Sequence, residues 1–93
     1  MYYVYILSNR RRTVFYTGST EELRKRVYFH KKRLIEGFTR RYNVDQLVYY
    51  EHHDDLSSAR MRERQVKSYS RAKKQFLVKT MNADWKDLFE PLS

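Results

Sequence analysis

The sequence predicts an α/β or α+β layered domain: a small, mainly antiparallel sheet of three strands with helices packed on it. Two observations predict it. Short aromatic and β-branched runs recur at Tyr3–Leu7, Val14–Ser19 and Gln46–Glu51, and such runs are strand-like. The other long stretches place apolar residues three and four apart, the period of amphipathic helices. The predicted order is ββαβαα, within one domain spanning residues 1–93.

The first two strands form a hairpin around Asn9-Arg10-Arg11-Arg12. With Ser8 facing Thr13 across that loop, Tyr5 lies directly opposite Tyr16 on one face of the ribbon. Gly18 permits a tight exit from the second strand. Ser19 and Glu22 fit a capping box, and a helix follows to about Glu36, stopped by Gly37. Its inward stripe is Leu23, Val27, His30 and Leu34. Phe38 to Asp45 reads as a basic loop before the third strand. Asp54 or Asp55 caps a second helix, from about Leu56 to Tyr69, with the stripe Leu56, Ala59, Glu63 and Val66. Ser70 caps a third, about Arg71 to Met81, and Asn82 caps a last short turn.

The charge is lopsided: 20 Lys+Arg against 11 Asp+Glu, a net +9 over 93 residues. That excess predicts an anionic partner, nucleic acid first and an acidic membrane surface second. Nine Tyr, five Phe and one Trp suit base stacking as well as an ordinary core. The absence of Cys excludes disulfides, thiolate metal sites and a Cys nucleophile. No apolar run approaches the ~20 residues that span a bilayer, and the N-terminus lacks a signal-peptide pattern. A soluble, cytoplasmic protein without membrane attachment, treated as a monomer, is the expectation.

Polar residues interrupt two of the apolar stripes. His30 and Glu63 stand where apolar residues are expected, and Arg26 is one turn before His30. Burying such groups is costly unless they are paired or solvated. Each has an ordinary explanation: a satisfied core histidine, an ion pair of Glu63 with Arg60 or a neighbouring cation, an Arg stem covering apolar surface, a packed tyrosine pair. Together they also suit phosphodiester cleavage. That reaction needs a base for water, cationic stabilisation of phosphoryl charge and help for the leaving oxygen. One Glu can hold Mg²⁺ or Mn²⁺, which keeps most of its waters. A Tyr near a cation could have a depressed pKa and act as base. Arg26, His30 and Glu63 are expected to converge on the sheet face of the tyrosines, with Arg26 able to offset Glu63 when metal is absent. Arg40 and Arg41, with Thr39, Lys31 and Asn82, are the candidates for nucleic-acid contact.

Tyr3-Val4-Tyr5 and Tyr16-Thr17-Gly18, with ten residues between Tyr5 and Tyr16, resemble the two motifs that name the GIY-YIG nucleases. Arg26 and His30 match the Arg-x-x-x-His pair on the following helix, and Glu63 matches the glutamate of a later one. Phe38–Tyr42, Leu47–Glu51 and the tail Asn82, Trp85, Asp87 and Leu88 are like the small UPF0213 group of that family. Tyr3 stands where the first motif has Gly. The resemblance implies a three-stranded antiparallel sheet and metal-dependent hydrolysis of DNA, with RNA also open. It makes Tyr5 the candidate base, Tyr16 its partner, Arg26 a transition-state stabiliser and His30 a proton-transfer or phosphate-contact group. Glu63 would bind one metal ion, weakly without substrate, and Asn82 would support the site. Larger family nucleases carry a second domain that selects DNA. Specificity here would come from this domain, from a protein partner or from DNA structure, as in repair or recombination. A nucleic-acid-binding module with weak or no catalysis is the alternative.

Overall fold

The computed structural model describes residues 1–34, 37–90 and 92. Its elements are β1 (Tyr2–Ser8), β2 (Phe15–Thr20), α1 (Leu23–Lys31), α2 (Phe38–Arg41), β3 (Gln46–His53), α3 (Leu56–Lys67) and α4 (Arg71–Met81). The expected α+β order holds, with a short helix, α2, inside the predicted basic loop. The strands form an antiparallel sheet in the order β2-β1-β3. The hairpin strand β1 is therefore central, and β2 and β3 are edges.

Each sheet face buries its own core. Tyr5 and Leu7 of β1 pack with Leu23 and Val27 of α1, and with Val44, Leu47 and Phe89. Ile6 of β1 packs on the other face with Val48, Tyr49, Val66 of α3 and Val78 of α4. Alternate residues of one strand thus feed two layers.

The hairpin register differs from the expected one by two residues. Tyr5 pairs with Gly18, Leu7 with Tyr16 and Ser8 with Phe15. Asn9 is the cause. Its Oδ1 accepts from the backbone N–H of Thr13 and of Val14, at 2.9 and 3.1 Å, and its own N–H donates to the Val14 carbonyl. This Asx-type closure, with Arg12 at φ 61°, makes the loop two residues longer than the predicted one. A shift of two preserves the face of every side chain. Tyr5 and Tyr16 still share a face, as diagonal neighbours with ring centroids 6.3 Å apart.

The capping box does not form. Ser19 and Thr20 stay in β2, paired with Val4 and Tyr3. Glu22 occupies the N-cap without a side-chain bond, and its N–H donates to Thr20 Oγ1. Helix α1 ends at Lys31, where Arg33 at φ 57° turns the chain. The predicted end near Glu36 falls outside the described residues. Leu34 is exposed, so the inward stripe is Leu23, Val27 and His30. Leu56, likewise expected inside, is exposed at the start of α3. Asp55 caps α3 and Ser70 caps α4, each accepting an N–H from three residues on.

At β3 the extra residue Val48 forms a bulge between the pairs Ile6–Tyr49 and Leu7–Leu47. The tail covers this edge. The Leu47 N–H donates to Asp87 Oδ1, the Leu88 N–H to the Leu47 carbonyl, and Asn82 Nδ2 to the Val48 carbonyl. The backbone groups of Leu47 and Val48 at this bulged edge are thereby satisfied.

Candidate active site

The site begins with a tyrosine lying across a glycine. Tyr5 is buried, and its ring crosses the β2 backbone at Gly18. A Cβ on residue 18 would stand 2.6 Å from Tyr5 Oη and 2.8 Å from Cζ. Gly18 is thus needed here for space in mid-strand, not to let the chain leave the strand. It lets a phenol from the central strand reach the sheet edge.

His30 comes from α1 onto the same face. Its Nε2 is 3.5 Å from Tyr5 Oη, and its Nδ1 is 2.9 Å from Thr39 Oγ1. Tyr16 completes the aromatic cluster, 5.5 Å from the His30 ring. Burial, with Arg26 second, pulls the imidazole down to about 4, so it is neutral at neutral pH. Burial, with Tyr16 second, pushes the Tyr5 phenol up to about 12, against a hydrogen bond and charge from Arg26. The depressed tyrosine pKa expected from a nearby cation is not found in the metal-free protein: desolvation outweighs the guanidinium. Arg26 itself is exposed on α1.

Glu63 arrives from the other side. It projects from α3 on the opposite sheet face, and Ser19 Oγ donates to its Oε1 at 2.5 Å. Lys67 Nζ stands 2.7 Å from its Oε2. The expected pairing with Arg26 is replaced by this i,i+4 pair, because the two residues approach from different layers. Burial is the largest influence on the Glu63 carboxyl and pushes it up. Lys67 and Ser19 together outweigh burial and hold it below the ordinary carboxylate value. Glu63 still acts electrostatically on Tyr5. The five expected residues therefore meet around one strand edge, at Gly18 and Ser19, and not on one face.

Three residues expected to touch nucleic acid are engaged inside the fold. Thr39 is buried against His30. Lys31 is half-buried, bonded to Asp87 and to the Asp45 carbonyl, and its ammonium lies over the Phe89 ring. Asn82 is buried; it caps the tail turn by accepting the Lys86 N–H and ties it to β3. Arg40 and Arg41 are exposed on α2. Thr39 and Ser19 are the partners that the local pattern did not assign, whereas Lys67, four residues from Glu63, is the neighbouring cation that it allowed. Thr39 is nine residues from His30 and Ser19 is 44 from Glu63, so no helical or strand period connects them.

This is a nuclease-like fold, and residues 1–76 match the GIY-YIG catalytic domain: the chain belongs to the GIY-YIG family. Within it, the chain is similar to UPF0213 proteins. It is 42% identical over 77 residues to one from Natronomonas pharaonis, covering 83% of this chain and 89% of that protein. It is 39% identical over 77 residues to one from Haloquadratum walsbyi, covering 83% and 85%. The solution NMR structure of a UPF0213 protein from Bacillus halodurans superimposes with a TM-score of 0.59 at 28% identity, covering 100% of this chain and 99% of that one. Membership implies a nucleic-acid substrate and, in general, endonuclease activity supported by divalent metal. No helix among the described residues is long and apolar enough to cross a membrane.

The donors present fit a hard, largely hydrated ion. Among the described residues no group of three or more His, Asp or Glu side chains forms a cage. Glu63, with side-chain exposure of 21%, offers one carboxylate at a depression of about 310 Å³ lined also by Arg60, Arg64 and Lys67. One carboxylate, with waters and substrate phosphate, is a usual Mg²⁺ environment. Lys67 is more than half exposed and can swing off Oε2.

Proposed function

We propose that this domain, acting as one unit, hydrolyses phosphodiester bonds in DNA with little sequence preference, selecting DNA by its structure. Branches, flaps and breaks, as arise in repair or recombination, are the proposed substrates. One observation carries the reading: the Tyr5 hydroxyl sits over Gly18 at the sheet edge, backed by a neutral imidazole and flanked by Arg26 and Glu63.

In this mechanism Tyr5 is the general base and His30 stands behind it. Thr39 Oγ1 accepts the Nδ1–H, which leaves the Nε2 lone pair facing the phenol. As water attacks phosphorus, Tyr5 takes its proton and passes the phenolic proton to Nε2. The P–O bond to the leaving oxygen then breaks. Because the Tyr5 pKa is high, its proton must move in concert with attack. Arg26 places its planar fork on the non-bridging oxygens, whose charge grows in the transition state. Tyr16 orients the water or phosphate. Glu63 is the proposed ligand of one Mg²⁺ or Mn²⁺, which would supply charge stabilisation at the leaving oxygen. Arg40 and Arg41 are the proposed backbone contacts.

The alternative is a binding module. The observation favouring it is that Tyr5 is held protonated while Lys67 occupies Glu63. Incubating the full chain with plasmid, branched and single-stranded DNA in Mg²⁺, Mn²⁺ or EDTA separates the two. The nuclease reading expects metal-dependent cleavage that collapses in Tyr5→Phe while DNA binding persists. Binding without cleavage in either metal leaves the module in its place.

A further inference from the structure

The short helix α2 has two unlike sides. Thr39 turns inward and holds His30. Phe38 and Tyr42 turn outward, both exposed, with ring centroids 4.9 Å apart. Exposed aromatics on a small basic domain need a reason, since both rings would gain by burial. They form one wall of a groove of about 330 Å³, whose other lining includes Phe15 of β2 and Arg71 and Lys74 of α4. That volume lies at the lower end of the ~300–1,000 Å³ range of ligand pockets.

The charge in this groove is uncompensated. The Lys74 side chain is half-buried, and burial pulls its ammonium below the ordinary lysine value. Among the described residues neither Lys74 nor Arg71 has a carboxylate within ion-pair distance. A partly desolvated cation without a counter-charge, beside three aromatic rings, matches a ligand that carries both an anion and a flat π-face. The position adds direction. Phe15 is three residues before Gly18 along the exposed edge of β2, roughly 10 Å at strand rise. A chain of phosphates following that edge passes both places.

We propose that this groove binds an unpaired nucleotide stretch, its base stacked on Phe38 and Tyr42 and its phosphates on Arg71 and Lys74. Stacking of this kind tolerates every base, because each has a π-face. The substrate would then be nucleic acid with a single-stranded segment next to the scissile bond. The inference rests on the nuclease reading only for the last clause; the groove itself is a binding site.

The test uses the full chain in EDTA, with a labelled oligothymidine and an abasic phosphodiester of equal length. The oligothymidine should bind about tenfold more tightly or better. Phe38→Ala/Tyr42→Ala should bring it down to the abasic value and leave the abasic affinity unchanged. Lys74→Gln, on a different helix, should weaken both ligands equally and reduce the salt slope by about one. It keeps the test decisive if the α2 variant unfolds. Equal affinity for the two oligomers, or a blunt duplex bound as tightly as oligothymidine, overturns the groove. Metal-dependent cleavage by the same proteins is scored separately. Cleavage without base-dependent binding sinks the groove alone. Base-dependent binding without cleavage by any of them sinks the nuclease reading alone.

Discussion

The two edges of the sheet carry the same four residue types in opposite condition. At the β3 edge stand Tyr49, Glu51, His53 and Arg62; at the β2 edge stand Tyr5, Glu63, His30 and Arg26. The first set is closed on itself. Glu51 accepts from the Tyr49 hydroxyl at 2.5 Å, from His53 Nε2 at 2.7 Å and from Arg62 Nε at 2.9 Å. Arg62 goes on to Gln65 and Tyr69. Burial, the largest influence on Glu51, pushes its carboxyl up, but these donors outweigh it and the net shift is down. The second set is open. Tyr5 and His30 meet only at 3.5 Å, Arg26 is exposed and among the described residues has no carboxylate within ion-pair distance, and Glu63 is held by Ser19 and by an exposed lysine. Residue type therefore does not distinguish a closed cluster from an open one. Saturation does: a donor set that is already satisfied has nothing left for a phosphate.

The comparison is broken most directly by removing each carboxylate in turn. Glu63→Gln should lower cleavage by about 10²- to 10³-fold and change stability by less than ~1 kcal/mol. Glu51→Gln should do the reverse. It should cost about 2–3 kcal/mol in urea unfolding, because Arg62 loses its counter-charge in a half-buried place, and leave cleavage intact. Similar losses of activity from both variants would erase the distinction.

Acid titration sharpens it next. His30 has a folded-state value of about 4 against 6.5 when unfolded. Between those pH values the unfolded chain binds a proton that the native one refuses. Stability is therefore fully present above about pH 6.5 and declines as pH falls towards 4, by roughly 2–3 kcal/mol. His30→Asn should flatten that segment of the stability profile, which urea midpoints across the range would reveal.

Gly18→Ala tests the steric basis of the open edge. The added methyl meets Tyr5 Oη at 2.6 Å and Cζ at 2.8 Å, so the ring must move. A stability loss of about 1–3 kcal/mol is expected, with cleavage falling along with it. Removing the hydroxyl as well, by Tyr5→Phe, should recover only part of the stability because the Cζ contact remains. Unchanged melting and cleavage in Gly18→Ala would show that Tyr5 does not depend on this clearance.

The smallest effect concerns Lys67. If it competes with metal for Glu63 Oε2, Lys67→Ala should tighten Mn²⁺ binding roughly two- to threefold, read by calorimetry without DNA. Weaker binding in that variant would place the ion elsewhere.

The local pattern made most of the fold readable. Strands, caps at Asp55 and Ser70, and the bounds of α4 follow from periodicity and from side chains that bond to residues three positions on. Of the candidate residues, His30 and Glu63 stand out as polar residues in apolar stripes, Arg26 as the residue one turn before His30, and Tyr5 and Tyr16 through their shared face of the hairpin. Tertiary structure alone decided how these groups meet. The hairpin register turned on the Asn9 side chain, which no strand pattern reports. Ser19 served Glu63 rather than a helix, Lys31 served Asp87, and Thr39 served His30, each partner coming from a different element. Side-chain period records which face a residue takes within its own element. It carries no information about the partner that packing brings from another, and at this strand edge it is the partners that separate a spent cluster from an open one.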